Sequence, residues 1–383
     1  MAFAFGAVAA AAPAYAGGQV SRWNATQIHL RPAQISGHDG RGVLVAVLDT
    51  WVDARHPDLG GRVLAGATCI GARPCHPGGT TTPDGCDAHG THVSGLIAST
   101  DYGVAPLARI LPVRVLAGPT EAACVARPAD VALGVLWAAR HGARVINISL
   151  DTTNGETVRL AGLAAAIDQV SRRGVVVVAA AGNHGGTAGE PLGPDAVMVA
   201  ATGPDGRLAA YSAHGTGVDL AAPGGTPVHG RCTVATCVIS TWADGGYAAL
   251  DGTSMAAAQV SGVAALLLAQ DPHRSRASII TAMERTARPL AGGGHGLLDA
   301  AAALAYGART LSQAGSGSGV VRHTPTRSAS PAPRHRRPVV NASGAHTSSL
   351  TGAAWVAGTL IAAQVIALVR VGIRRQGPPS GPA

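Results

Sequence analysis

Gly174-Val175-Val176-Val177-Val178-Ala179-Ala180-Ala181-Gly182-Asn183 is the stretch from which the fold can be read. A strand with one wet face alternates apolar and polar residues, and this run does not alternate. Four valines followed by alanines leave no side to give to water. Such a strand belongs to a parallel sheet covered by helices on both faces. β-Branched valines also favour the extended backbone over the helix. The Gly-Asn that ends the run then stands beyond a strand's carboxyl end, where open α/β sheets gather their functional groups.

The same pattern repeats to either side. Val43–Leu48, Ile110–Val115, Val145–Leu150 and Val197–Ala201 read as further short apolar strands. Between and after them, Thr91–Ser99, Val131–Ala139, Val158–Val170 and Met255–Ala269 read as helices. Strands alternating with helices predict an α/β fold, a doubly wound and mostly parallel sheet flanked by helices.

Three more segments place reactive side chains at comparable junctions. Asp49 ends a strand in Val-Ala-Val-Leu-Asp-Thr. His89 opens a helix in Asp-Ala-His-Gly-Thr-His-Val-Ser-Gly. Ser254 opens the long apolar helix in Asp-Gly-Thr-Ser-Met-Ala-Ala. A serine hydroxyl is a weak nucleophile until a base takes its proton. Histidine is the side chain that can do so near neutral pH. A carboxylate fixes the imidazole tautomer and stabilises the imidazolium. The amide of Asn183 could donate to an oxyanion formed on a carbonyl. A helix start at Ser254 adds a favourable dipole for that charge. Gly90, Gly182 and Gly252 beside these residues permit close backbone approach. Each residue alone has an ordinary structural reading, as a cap or a turn. Their joint occurrence in four such segments does not.

With these stretches in view, the chain resembles the subtilisin-like serine proteases, the subtilases. The matching segments are 45–50, 89–95, Gly-Val-Ala-Pro at 103–106, Val-Ile-Asn-Ile-Ser-Leu at 145–150 and Ala-Ala-Gly-Asn at 180–183. Tyr-Ser-Ala-His-Gly at 211–215, Asp-Leu-Ala-Ala-Pro-Gly at 219–224 and Gly-Thr-Ser-Met-Ala-Ala at 252–257 complete them. The chain order Asp, His, Ser is that of subtilisin. The resemblance implies that Asp49 orients, His89 is the base, Ser254 attacks and Asn183 stabilises the oxyanion. It implies that His92 packs behind His89. It also implies that Ser149 and Leu150 lie along the substrate as an edge strand, with Gly182 lining the same cleft.

The chain departs from the family in several places. Trp51 stands where Gly is usual and is expected to crowd the site or shape its wall. Ala258-Gln259 replaces the usual Pro-His, away from the chemistry. Asp151 follows Ser149-Leu150 where Gly is common. Only Thr100-Asp101-Tyr102 connects the histidine helix to Gly-Val-Ala-Pro, where many subtilisins have a longer calcium-binding loop. No metal and no cofactor are therefore expected. The stretch after Ala16 is too short for a folding-assistant prodomain of the family's usual size.

Charge and composition decide what lies around this domain. Only 13% of the 383 residues are charged, which excludes a coiled coil or a charge-rich disordered chain. All 29 basic residues are Arg. Nine of them follow Ala300, where there is no Asp or Glu, leaving 20 against 21 acidic residues before it. The net charge of +8 thus belongs to the tail, and no nucleic-acid partner is expected.

At the N-terminus, an Ala-rich run ending in Ala14-Tyr15-Ala16 predicts a signal peptide over 1–16. A peptidase domain is then expected over 17–310. Residues 311–349, rich in Ser, Gly, Pro and Arg, read as a solvated linker. Residues 350–369 carry no charge, and as a helix would be about 30 Å long, enough to cross a bilayer. Arg370, Arg374 and Arg375 follow, marking 370–383 as a cytoplasmic tail and the peptidase domain as extracytoplasmic. The expected location is the cell membrane, with a single pass.

Six cysteines in an exported chain predict disulfides. Cys232 and Cys237 flank a four-residue loop and are expected to pair. The connectivity of Cys69, Cys75, Cys86 and Cys124 stays open. The whole arrangement resembles the mycosins, membrane-anchored subtilases of actinobacterial type VII secretion systems. That implies a protein or peptide substrate and secretion-complex subunits as partners. Two functions fit: a tethered endopeptidase, and a subtilase-fold scaffold of a secretion complex with little or no proteolysis. A dinucleotide-binding role does not fit, because Asp-Thr-Trp-Val-Asp follows the first strand in place of a Gly-rich turn.

Overall fold

Val176–Ala180, from the valine run, forms an interior strand of an eight-stranded sheet. The computed structural model describes residues 22–31, 39–71, 74–81, 85–118, 124–150, 157–188 and 192–316. In chain order the strands are β1 (Leu44–Asp49), β2 (Ala67–Thr68), β3 (His76–Pro77), β4 (Arg109–Arg114), β5 (Leu116–Ala117), β6 (Val125–Ala126), β7 (Val145–Ile148), β8 (Val176–Ala180), β9 (Ala196–Thr202), β10 (Leu220–Pro223), β11 (Val238–Thr241) and β12 (Tyr247–Leu250). The α-helices of ten residues or more are α2 (His89–Ala98), α3 (Pro128–Arg140), α4 (Thr157–Ser171), α5 (Thr253–Gln270), α6 (Arg276–Thr286) and α7 (Ala300–Ser316), preceded by the short α1 (Trp23–Gln27).

The main sheet has the order β10-β9-β8-β7-β1-β4-β2-β3. It is parallel except for β3, which runs antiparallel to β2. β1 lies in the interior, with Val45 beside Ile110 of β4 on one side and Val145 of β7 on the other. The doubly wound, mostly parallel sheet expected from the sequence is therefore present.

Successive residues of the central strands feed two different cores, which is why these strands cannot alternate with polar residues. Val45 and Val47 of β1, and Val176, Val178 and Ala180 of β8, face a core shared with α2, α5, α6 and α7. Ala46 and Leu48, with Val177 and Ala179, face a second core under α3 and α4. A helix apolar all round is either a core helix or a membrane span. Helix α5 is the one described helix long and apolar enough to span, and 89% of its apolar window is buried inside the fold. It is the central core helix.

Several features were not anticipated. The hairpin β11–β12 turns through Asp244 and Gly245, both at positive φ. The Asp-Gly pair at 244–245 was the available signal for that turn. Helix α6 is capped by Ser275, whose hydroxyl accepts from the Ser278 N–H. Helix α7 continues to Ser316, past the domain end expected at 310. The expected leader over 1–16, most of the linker, the span over 350–369, the tail over 370–383 and Asp151 lie outside the described residues.

The cysteines pair as Cys69–Cys75, Cys86–Cys124 and Cys232–Cys237, with no free thiol. The local Cys232–Cys237 pair is the expected one. Cys86–Cys124 ties the approach to α2 to the segment before β6.

Candidate active site

Asp49 is the last residue of β1, and its side chain is fully buried. One carboxylate oxygen accepts from the Thr50 N–H at 2.7 Å. The same oxygen lies 2.8 Å from His89 Nδ1, and the other lies 3.0 Å from it. His89 opens α2, where its N–H donates to Asp87 Oδ1 at 3.0 Å. The next residue cannot be larger than glycine. A Cβ on Gly90 would come within 2.8 Å of the Trp51 carbonyl and 3.3 Å of Asp49 Cβ. Gly90 N–H donates instead to Thr50 Oγ1 at 2.9 Å. Thr50 therefore braces both members of the pair, a role that nothing but its place after Asp49 could have signalled.

This geometry fixes the electrostatics of His89. Burial pushes its imidazole towards the neutral form. The adjacent Asp49 charge and hydrogen bond, helped by Asp87, outweigh that and bring its pKa up to about 9. His92, one turn on, is held the other way. Burial and the nearby His89 push it down to about 3. Its Nε2 faces the carbonyls of Val238 and Ala248 at 3.2 and 3.1 Å. His92 thus packs behind His89, as expected, and stays neutral. Asp87 moves upward, chiefly through burial.

Trp51 braces the approach to His89. It is buried, and its indole N–H donates to the Cys86 carbonyl at 3.1 Å. The ring props the Cys86–Ala88 segment that leads into His89.

Ser254 stands in the first turn of α5 and is 4% exposed. Its hydroxyl donates to the Ser149 carbonyl at 3.3 Å. The backbone reaches the helix start through Gly252, at φ 147°, a region that favours glycine. A Cβ there would lie 3.4 Å from Asn183 Nδ2. Asn183 is anchored at the opposite end of its amide. Its Oδ1 accepts from both Thr253 N–H and Thr253 Oγ1 at 2.9 Å. That fixes the amide so that Nδ2 is the end turned towards Gly252. The Ser254 N–H, in the first helical turn, has no carbonyl four residues back to bond.

Ser149 and Leu150 stand just past the end of β7 rather than within a strand. Both side chains are buried, Leu150 in the core under α3 and α4, so only their backbone can meet a peptide. Gly182, at φ 112°, donates its N–H to Thr253 Oγ1 and accepts at its carbonyl from Ala213 N–H. Its N–H and carbonyl are both taken up within the fold.

Gln259, in place of the family's His, is also accounted for. Its Nε2 donates to the carbonyls of Pro223 and Met255, and its Oε1 accepts from Asn24. It pins α1 to α5 behind the site. The sequence offered no sign of this, because the contact joins residues 235 apart.

Comparison with known proteins gives one consistent result. Residues 40–319 match the model of the Subtilase family (Peptidase_S8). Thermitase from Thermoactinomyces vulgaris is 38% identical over 266 residues, covering 67% of this chain and 85% of thermitase. Subtilisin Savinase from Lederbergia lenta is 37% identical over 291 residues, covering 73% of this chain and 97% of the relative. Among solved structures, the MycP3 protease from the type VII (ESX-3) secretion system is similar, with a TM-score of 0.62 and 30% identity. That match covers 75% of this chain and 88% of that one. MycP1 with its N-terminal propeptide removed has a TM-score of 0.58 at 30% identity, over 74% of this chain and 96% of that one.

Proposed function

The chain belongs to the subtilase family and is a serine endopeptidase, and from that premise we propose that it cleaves protein or peptide substrates outside the cytoplasm while anchored in the membrane by residues 350–369. Ser254 is the nucleophile, His89 the base, Asp49 its orienting carboxylate and Asn183 the oxyanion donor. The observation that carries this reading is the buried Asp49–His89 pair, 2.8 Å apart, at the head of one helix, with Ser254 at the head of another.

The reaction follows from these positions. Asp49 occupies His89 Nδ1, so Nε2 is the nitrogen that takes up a proton. Rotation of the Ser254 hydroxyl away from the Ser149 carbonyl presents its proton to Nε2. As the proton leaves, Oγ bonds to the scissile carbonyl carbon, and the carbonyl electrons move onto oxygen. Asn183 Nδ2 and the Ser254 N–H donate to that oxyanion. The imidazolium beside Asp49 then gives its proton to the departing amine as the C–N bond breaks, leaving an acyl-enzyme. Water, deprotonated by His89, releases the acyl group by the reverse sequence.

The similarity to the MycP3 protease of the type VII (ESX-3) secretion system supports a role beside a type VII secretion complex, whose subunits would be partners. The test is fluorophosphonate labelling of the full chain. Wild-type protein is expected to be labelled at Ser254. Ser254→Ala is expected to lose labelling and hydrolysis while keeping its thermal unfolding midpoint. Serine labelling that persists in the variant overturns the assignment.

A further inference from the structure

Beneath the candidate nucleophile lies a buried hydrogen-bond chain that takes no part in the proton transfers above. Ser261, seven residues along α5 from Ser254, donates from Oγ to Asn147 Oδ1 at 2.8 Å. Asn147 donates from Nδ2 to Ser149 Oγ at 2.7 Å. Ser149 Oγ donates to the Ser254 carbonyl at 3.2 Å, while the Ser149 carbonyl accepts the Ser254 hydroxyl. Asn147, Ser149 and Ser261 are all fully buried. The direction of each bond follows from the inventory of donors. A hydroxyl has one proton to give. Because Asn147 fills an acceptor position on Ser149 Oγ, the Ser149 proton goes on to the Ser254 carbonyl.

Elsewhere on α5, Thr253 and Gln259 make polar contacts to Asn183, Pro223 and Asn24, but none of these reaches β7. The remaining packing of the helix is apolar, and apolar burial is non-directional. The Asn147 chain grips the helix at two points, the Ser254 carbonyl and the Ser261 hydroxyl, about 10 Å apart at 1.5 Å per residue. It ties both to the end of β7.

We infer that Asn147 is a positioning residue for the nucleophile, setting through Ser149 where Ser254 Oγ stands relative to a peptide lying along residues 149–150. The inference rests on Ser254 being the nucleophile. Attack tolerates little error, since a misplacement of about 1 Å can cost about 10²-fold in rate.

The experiment uses the full chain and a fluorophosphonate probe, with the maximal labelling rate and the half-saturating probe concentration measured separately. Asn147→Ala is expected to lower the maximal rate about 10- to 100-fold and to leave half-saturation within about twofold. The pH midpoint of labelling should stay in place, because His89 is untouched. Ser261→Ala, which loosens only the far end, should slow labelling about two- to fivefold. The double variant should be no slower than Asn147→Ala alone, because both act through one chain. A folded Asn147→Ala labelled at the wild-type rate overturns the inference, as does independent additivity of the two changes. If Asn147→Ala does not fold, Ser261→Ala decides alone, and a wild-type rate there overturns it. Ser254→Ala separates the two claims. Labelling that survives in Ser254→Ala removes the nucleophile itself, whereas its loss there beside an unaffected Asn147→Ala removes only the positioning role.

Discussion

His89 sits among groups that pull its charge in opposite directions, and the balance sets the pH range of the enzyme. Burial favours the neutral ring, while Asp49 and Asp87 favour the cation and prevail, at a pKa of about 9. Only the neutral ring can accept the serine proton. Hence kcat/KM should rise with pH through a single ionisation well above the ordinary histidine value of about 6.5. Asp87→Asn should move that midpoint down. A pH profile on a peptide substrate checks this, and a midpoint at or below the ordinary value refutes it. His92 contributes to stability with the opposite sign. Its folded pKa is depressed to about 3, so its contribution is complete above the unfolded value and is lost as the pH falls from there towards 3. Asn183→Ala should lower kcat by about 10²–10³ with KM little changed, because the amide meets charge that exists only in the transition state. An equal loss in binding would argue against the oxyanion role. Asp49, His89, Asn183 and Ser254 were legible because each sits in a run whose neighbours are constrained too. Thr50, Asn147 and Gln259 were not, because a buried polar side chain declares its partner only when remote segments meet.

At the scale of elements, the packing of α2 against β11 rests on one missing side chain. A Cβ on Gly95 would press into the hydroxyls of Thr241 and Ser240. Neither hydroxyl can retreat without loss, since they donate to the carbonyls of Thr91 and His92 at 2.8 Å. Overpacking costs about 1–3 kcal/mol, and losing a hydrogen bond adds to it. Gly95→Ala should therefore destabilise the domain by at least about 2 kcal/mol, read as a lower denaturant midpoint at unchanged slope. An unaltered midpoint would show that α2 can shift on β11. The elements legible in the sequence were those buried on both faces, such as β1, β7 and β8, together with the helices α2 and α5 that cover them. The hairpin β11–β12 was missed because Val-Ile-Ser-Thr and Tyr-Ala-Ala-Leu offer neither a continuous β-branched apolar run nor a clean alternation. The Cys69–Cys75 and Cys86–Cys124 pairings were not legible either, since cysteine spacing leaves several connectivities open.

At the scale of the whole molecule, charge separates into a nearly neutral domain and a basic tail without acids, and the proposed membrane topology rests on that asymmetry. Residues 350–369 contain no charged side chain, while Arg370 follows at once and Arg374 and Arg375 soon after. Arginines abutting one end of a span mark its cytoplasmic side. The competing signal is the cluster Arg334, Arg336 and Arg337 on the other flank. Arg337 lies 13 residues before Leu350, whereas Arg370 is adjacent to residues 350–369. A cysteine introduced near Ala383 should therefore react in intact cells only with membrane-permeant reagents. Deleting residues 317–383 leaves α7 whole and should release a soluble protease that still labels at Ser254. The two results answer different questions. Retention in the membrane after the deletion would mean that 350–369 is not the anchor. Reaction of the tail cysteine with impermeant reagents would mean that the anchor is inverted. An inverted anchor would place the domain in the cytoplasm, where three disulfides do not persist, so the redox state of Cys69, Cys86 and Cys232 in cells provides an independent reading of the same orientation.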